Sequence, residues 1–133
     1  MTQERALNID ELTAMAQASA RVTSQCPCEI ESYLGWTRVP ASFPQEQMRA
    51  AGTLAGDPYD EPTYTEYHPH GTNYWSPDAP IALHYFPFNR CAVQQCGQCL
   101  RYCLNYVEAG GYYVEPRIRA LDARLIVDVP VVD

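Results

Sequence analysis

The sequence predicts an α+β fold in a single domain, with a helical N-terminal half packed on a small antiparallel sheet. Residues 8–24 carry apolar side chains at steps of three and four, and residues 81–133 are rich in strand-forming side chains. The length of 133 residues suits one domain. We expect residues 1–56 to be mainly helical, residues 57–80 to form a loop region, and residues 81–133 to be β-rich and to carry a cysteine turn.

The chain is acidic, and its charge bears on the partners it can have. The formal net charge is −7, and a protein of this charge repels the phosphates of nucleic acids and anionic membranes. No apolar run approaches the length of about 20 residues that crosses a bilayer, and the polar, acidic N-terminus is unlike a secretory signal. We expect a cytoplasmic protein that binds neither nucleic acid nor membrane, and another protein as its partner.

The N-terminal half contains two helix patterns. Residues 8–24 form an amphipathic pattern that Asn8 or Asp10 can cap, with an alanine-rich apolar face. A second, short helix is expected to follow Pro44 and to end near Ala51, because proline suits the first turn of a helix.

The densest cysteine segment reads Cys91-x4-Cys96-x2-Cys99-x3-Cys103 and predicts a metal site. In a reducing compartment, clustered cysteines favour metal or redox chemistry over disulfides. A Cys-x-x-Cys turn directs two thiolates at one ion, and Gly97 suits that turn. We therefore expect zinc with Cys91, Cys96 and Cys99 as ligands, rather than buried free thiols.

A second pair of cysteines lies in Cys26-Pro27-Cys28. Proline favours an extended form that would place both side chains on one side. The pair could complete a zinc site with Cys96 and Cys99, although a spacing of one residue is rarer in structural zinc sites than a spacing of two. The sequence leaves open whether either residue joins the site.

Residues 63–77 form a loop dense in aromatic side chains and imidazoles. One interpretation is a rigid loop whose aromatic side chains cover the core. The other makes His68 or His70 a metal ligand, or a general base beside Glu66. His68 is the expected fourth ligand, because it ends a stretch of alternating residues whose rigidity could aim its imidazole.

The C-terminal part is predicted to contain four strands. Residues 81–86 form the first, and residues 100–107 alternate leucine and tyrosine in the second. Gly110 and Gly111 suit a tight hairpin turn, from which residues 112–115 return as the third strand. Residues 125–129 form an apolar terminal strand.

A helical interpretation of residues 100–107 competes with the strand and bears on the fourth ligand. In a helix, Cys103 would follow Cys99 by one turn on the same face and would join the site. In a strand, four residues at about 3.3 Å each place it roughly 13 Å along the chain, too far to share an ion. We prefer the strand, so Cys103 is only the alternative to His68.

The succession of strand, cysteine turn, strand, tight turn and strand over residues 81–115 resembles a zinc ribbon, a small β module in which thiolates on knuckle turns hold zinc between hairpins. The match rests on the single turn from Cys96 to Cys99, and a second Cys-x-x-Cys is missing. Such clusters are similar to those of some small bacterial proteins. The resemblance implies a zinc held between hairpins.

The expected function is a structural zinc site in a protein that acts by protein–protein interaction, rather than an enzyme. A structural site is closed by four protein ligands. One alternative is a zinc-dependent hydrolase, with an open position for water near Glu66, His68 or His70. Another is an iron–sulfur or thiol redox sensor. The sequence contains no phosphate-binding glycine loop and no nucleophile-elbow serine.

Overall fold

A computed structural model describes residues 5–56, 62–109, 112 and 114–131. Within these residues one helix, α1, is followed by seven short strands. In order, the elements are α1 (Ile9–Ala20), β1 (Thr37–Arg38), β2 (Met48–Thr53), β3 (Ile81–Ala82), β4 (Ala92–Cys96), β5 (Tyr102–Ala109), β6 (Val114–Ala120) and β7 (Ile126–Val127). Short 3-10 helices lie at Ile30–Ser32, Gln45–Gln47 and Phe88–Arg90.

The main sheet has five strands in the order β1-β6-β5-β4-β2, and every neighbouring pair in it is antiparallel. β3 and β7 form a separate parallel pair. The strand interpretation of residues 100–107 is confirmed, because β5 pairs along its length with β6. The hairpin turn predicted at Gly110 and Gly111 lies outside the described residues.

The prediction of a helical N-terminal half on a small sheet is wrong, because the sheet dominates the fold. In the described part of the chain α1 is the only α-helix. The helix expected after Pro44 is a single 3-10 turn, and the following Met48–Thr53 is the edge strand β2, paired with β4. Alanine-rich residues favour a helix locally, but pairing with a distant strand overrides this weak preference.

The helix α1 begins as predicted. The side-chain oxygen of Asn8 accepts a hydrogen bond from the backbone N–H of Glu11 at 2.8 Å, and the Glu11 carboxylate accepts one from the backbone N–H of Asn8 at 3.2 Å. This reciprocal capping box satisfies two donors that the first turn leaves free. Leu12 and Ala16 bury the apolar face of the helix.

The two outer strands of the C-terminal part are shorter than predicted. Only Ile81–Ala82 and Ile126–Val127 pair as strands. The first of them ends because a turn follows Ala82 directly, closed by a hydrogen bond from the Tyr85 N–H to the Ala82 carbonyl at 3.0 Å. None of the described helices has the length and hydrophobicity needed to cross a membrane.

Two clusters of buried side chains pack against the main sheet, and we call them the helix-side core and the cysteine-side core. Alternation along a strand sends neighbouring side chains to opposite faces, so Leu104 points into one core and Cys103 into the other. The helix-side core contains Leu12, Ala16, Trp36, Ile81, Leu83, Phe88, Cys91, Val93, Leu104 and Leu121. The cysteine-side core contains Cys26, Cys28, Ile30, Phe43, Cys96, Cys99, Cys103 and Ile118.

Candidate metal centre

Four buried thiols converge in the cysteine-side core. The sulfur atoms of Cys26, Cys28, Cys96 and Cys99 all lie within 4.8 Å of one another. The Cys26–Cys96 and Cys28–Cys99 sulfur pairs are 3.7 Å and 3.6 Å apart. These separations exclude disulfides, whose sulfurs are about 2.05 Å apart. They match the edge of about 3.8 Å that follows from a tetrahedral ion with metal–sulfur bonds of about 2.3 Å. The four thiols could therefore hold a metal ion.

The Cys96–Cys99 half of the site is the reversal between β4 and β5. Leu100 N–H donates to the Cys96 carbonyl at 2.9 Å, and Cys96 N–H donates to the Arg101 carbonyl at 2.8 Å. Leu100 adopts a left-handed conformation with a φ of 73°, which lets the chain turn back into β5. The turn predicted from the Cys-x-x-Cys spacing thus brings Cys96 and Cys99 to the same point.

Gly97 lies at the closest approach of this turn to the segment before β2. Its N–H donates to the Gln47 carbonyl at 2.7 Å. A Cβ atom at this position would lie 2.9 Å from Nε of Arg49 and 3.2 Å from the Gln47 carbonyl oxygen. The exposed Arg49 side chain can move away, but the Gln47 carbonyl belongs to the backbone, so any larger residue here would press on the segment before β2.

The Cys26–Cys28 half of the site is a tight turn rather than the extended segment expected from Pro27. Glu29 N–H donates to the Cys26 carbonyl at 3.2 Å, and Glu29 itself is left-handed with a φ of 52°. Ser32 braces the turn by donating its hydroxyl to the Glu29 carbonyl at 2.7 Å. A turn can direct side chains spaced by one residue at a common point, and proline suits its second position.

Cys96 ionises more readily than Cys26 and Cys28. Burial raises the pKa of Cys26 and of Cys28. Burial also acts to raise the pKa of Cys96, but hydrogen bonds from the backbone N–H groups of Cys99 and Gln98 outweigh it and lower that pKa below its usual value. Backbone N–H groups pointed at a sulfur stabilise a thiolate. Cys96 is therefore better prepared for a cation than Cys26 and Cys28, which need the cation itself to lose their protons.

Gln47 is the polar side chain that closes over the sulfurs. Its amide oxygen lies 3.8 Å from the sulfur of Cys26 and 3.6 Å from that of Cys96. Once these sulfurs are thiolates they can only accept, so the amide would turn its NH₂ group toward them. Sequence reasoning missed Gln47, because nothing in its sequence neighbourhood marks it as a partner of residues that lie far away in the chain.

The predicted ligand Cys91 lies on the opposite face of the sheet. It is fully buried in the helix-side core, where its thiol donates to the Pro87 carbonyl at 3.2 Å. Cys91 and Cys96 are five positions apart, and an odd spacing along an extended chain sends two side chains to opposite faces. The arrangement therefore gives no support to Cys91 as a third ligand.

The predicted fourth ligand, His68, is held elsewhere by two hydrogen bonds. Its Nδ1 is 2.7 Å from the Thr72 hydroxyl, and its Nε2 is 2.8 Å from the Glu66 carboxylate. His70 is exposed. In the described segments, neither histidine belongs to the group that could hold an ion.

The alternative ligand Cys103 shares the cysteine-side core but stays outside the group of four. It lies on β5 opposite Gln94 and Ala120, and its sulfur accepts from the Asn105 amide at 3.6 Å. Burial raises the pKa of its thiol to about 12. The group that could hold an ion joins Cys26 and Cys28 to Cys96 and Cys99, and the signal for it was two close-spaced cysteine pairs in one chain.

An open groove of about 710 Å³, which we call the α1 groove, lies beside the candidate site. Its walls come from α1, from Ile30–Ser32 and from the facing ends of β5 and β6. Arg101 lines it with 7 % of its surface exposed, donating to the Val22 carbonyl at 3.2 Å and lying 3.5 Å from the Glu31 carboxylate. Ile30 and Arg101 each follow one of the four cysteines by two positions. An ion at the four sulfurs would therefore brace two walls of the groove.

No protein-family model, curated protein or solved structure matches this chain. The four thiols and their surroundings are therefore what supports a metal ion at this place.

Proposed function

We propose that this protein holds one zinc ion in a closed site formed by Cys26, Cys28, Cys96 and Cys99, and that the ion is structural. The observation that carries the proposal is the convergence of four buried sulfurs within 4.8 Å. Four thiolates complete a tetrahedral shell and leave no position for a reacting water. This favours a structural role over a hydrolytic one.

The ion would link two segments that are far apart in the chain. The Cys26–Cys28 turn lies in a part of the chain, residues 22–29, that belongs to no helix or strand. Its sulfurs meet those of a turn about 70 residues further along the chain. Metal–thiolate bonds would tie this irregular segment to the β4–β5 reversal, and in small metal sites such binding energy contributes directly to folding.

The two alternative functions make different demands on the site. Four thiolates also bind iron, so an iron centre is the nearest competitor. A zinc hydrolase needs three protein ligands and an open fourth position. The described group contains four cysteines and no histidine, and the Glu66 carboxylate is hydrogen-bonded to His68 instead of facing the sulfurs.

Metal analysis of protein purified without added metal tests the proposal. We expect one zinc per chain and no visible absorption, and replacement by cobalt should give the absorption typical of a tetrahedral thiolate site. The double variant Cys26→Ser/Cys28→Ser should lose the metal, whereas Cys91→Ser serves as the control and should keep it. Stoichiometric iron and a brown colour would identify an iron centre instead of a zinc site. Full zinc retention in the double variant would refute the ligand set.

We further propose that the α1 groove binds an apolar segment of another protein. The groove has an apolar floor that includes Ala16, Ile30 and Leu121, and Leu34 at its side is 58 % exposed. A closed metal site beside such a groove supports a binding role, because the ion can shape a surface without taking part in a reaction.

A photo-crosslinking amino acid placed at Leu34 tests this binding role in cells. The matched control is Trp75, which is 51 % exposed and does not line the groove. We expect one discrete adduct from position 34, its loss in the Cys28→Ser background, and no such adduct from position 75. Equal labelling from both positions, or labelling from position 34 that is unaffected by Cys28→Ser, would contradict a metal-braced binding groove.

A further inference from the structure

The side chain of Arg119 is completely buried, with 0 % of its surface exposed. It lies on β6 directly opposite Leu104, so it projects into the helix-side core, away from the candidate metal centre. Nη2 donates to the Ala79 carbonyl at 2.6 Å. Nε and Nη1 are buried and have no hydrogen-bond partner in the described residues. A buried donor without an acceptor destabilises the folded state, and the cost is larger when the donor is charged.

Arg119 forms no ion pair among the described residues. Two carboxylates act on its charge, but only from beyond ion-pair distance. The nearby Asp122 carboxylate is hydrogen-bonded to Arg124 at 2.8 Å. Cys91 does not supply a negative charge, because its thiol donates to the Pro87 carbonyl and burial holds its pKa well above the usual value. Burial lowers the pKa of Arg119 only to about 10, so the guanidinium stays charged at neutral pH.

A second unpartnered donor belongs to a residue that lines the same cavity as Arg119. Trp36 is 4 % exposed, and its indole Nε1 has no hydrogen-bond partner in the part of the chain that the structure describes. Trp36 and Arg119 both line a cavity of about 10 Å³, together with Ala79 and Phe88. That volume holds a single species about the size of a water molecule.

We propose that this cavity binds one small monovalent anion of halide size, held by Nε and Nη1 of Arg119 and Nε1 of Trp36. An anion accepts all three N–H groups and neutralises the buried guanidinium, whereas a water molecule would leave the charge uncompensated in a medium of low dielectric. Sulfate and phosphate are too large for the space. The Glu66 carboxylate also lines the cavity, but it is hydrogen-bonded to the imidazole of His68.

The anion site does not depend on the proposed zinc, because it lies on the other face of the sheet. The bound anion would hold β6, through Arg119, to the residue before β1, through Trp36. Arg119 in turn holds the loop before β3 through the Ala79 carbonyl. We therefore expect chloride to stabilise the folded protein in a saturable way, as a ligand that binds only the native state does.

Thermal unfolding at constant ionic strength tests the site, with chloride exchanged for gluconate, which is too large to enter. We expect the melting temperature to rise with chloride and with bromide and then to reach a plateau. Trp36→Phe removes one donor and should weaken the apparent chloride affinity roughly tenfold, the usual scale for a hydrogen bond to a charged group. Arg119→Met should abolish the chloride effect. Arg38→Met, which removes an exposed arginine that pairs with Glu115 and does not line the cavity, is the control and should keep it.

Bromide soaked into crystals of the unmodified protein provides a test that needs no variant to fold. An anomalous peak between the Arg119 guanidinium and the Trp36 indole is the expected result. An ordered water without anomalous signal would overturn the proposal. So would a melting temperature that is independent of halide, or a chloride effect that survives in Arg119→Met.

Discussion

The sulfur atoms of Cys26 and Cys96 lie 3.7 Å apart although the two residues are separated by 70 positions in the chain. The first belongs to an irregular turn and the second ends strand β4. Each also lies within 4 Å of the Gln47 amide oxygen, at 3.8 Å and 3.6 Å. This contact joins the N-terminal segment to the sheet at one buried point, and the following predictions test what occupies that point.

Single cysteine variants separate ligands from packing residues. Cys28 and Cys103 are both 0 % exposed and both lie in the cysteine-side core, so their replacement by serine disturbs packing to a similar degree. We expect Cys28→Ser to lose zinc and Cys103→Ser to retain it, as measured by metal content after gel filtration. His68→Ala should also retain zinc. Loss of zinc in Cys103→Ser or His68→Ala, with retention in Cys28→Ser, would favour the ligand set expected from the sequence.

Metal removal should loosen one side of the molecule more than the other. With a chelator under reducing conditions, we expect faster hydrogen exchange at the Glu29 amide, whose bond to the Cys26 carbonyl is 3.2 Å long. The amides shared between β5 and β6 should keep most of their protection, because that hairpin has its own ladder of hydrogen bonds. Uniform loss of protection across the sheet would show instead that the whole fold depends on the ion.

Gln47→Leu should weaken zinc binding while the protein stays folded. The amide is the neutral group that can donate to the thiolates of Cys26 and Cys96, and loss of such an outer partner lowers metal affinity about 10–100-fold. Competition with a zinc-binding dye measures the change. Gln45→Leu is the matched control, because Gln45 is exposed, and its zinc affinity should be unchanged. Equal affinities in the two variants would remove Gln47 from the site.

The left-handed residue of the cysteine turn allows a stabilising substitution. Leu100 has a φ of 73° and is 54 % exposed, so its side chain adds little packing while its backbone is strained. We expect Leu100→Gly to be more stable than Leu100→Ala by about 1 kcal/mol, the typical cost of this conformation for a residue with a Cβ. Urea unfolding of the two variants measures the difference. If the alanine variant is the more stable one, the turn does not impose this backbone conformation in solution.

Stability should fall in alkaline solution partly because of Tyr106. Burial raises the pKa of its hydroxyl, and the neighbouring Glu108 raises it further. In the unfolded chain the tyrosine ionises near pH 10, so unfolding releases a proton once the pH exceeds that value, and the stability due to this group decreases as the pH rises further. Urea unfolding at pH 8 and above pH 10 should show a smaller loss in Tyr106→Phe than in the unmodified protein. An identical loss in both proteins would mean that other groups govern the alkaline transition.

The sequence by itself determined the features whose causes lie within a few residues. The start of α1 follows from the Asn8–Glu11 capping box, which closes within one turn. The β5 strand follows from alternating leucine and tyrosine, and the Cys96–Cys99 turn follows from the spacing of its two cysteines. In each case the residues that decide the conformation are neighbours in the chain, so a local pattern is enough.

Only the tertiary structure decided the features that need a distant partner. Residues 48–53 have a helical composition but become a strand because β4 offers a ladder of hydrogen bonds. Cys26 and Cys28 reach Cys96 and Cys99 because the chain folds back across the sheet, while Cys91 is sent to the opposite face by its odd distance from Cys96. Arg119 is buried because both faces of β6 are covered at its position and at the preceding Ile118. These outcomes depend on which segments pack or pair with each other. The free energy of that packing and pairing cannot be read from the spacing of neighbouring residues.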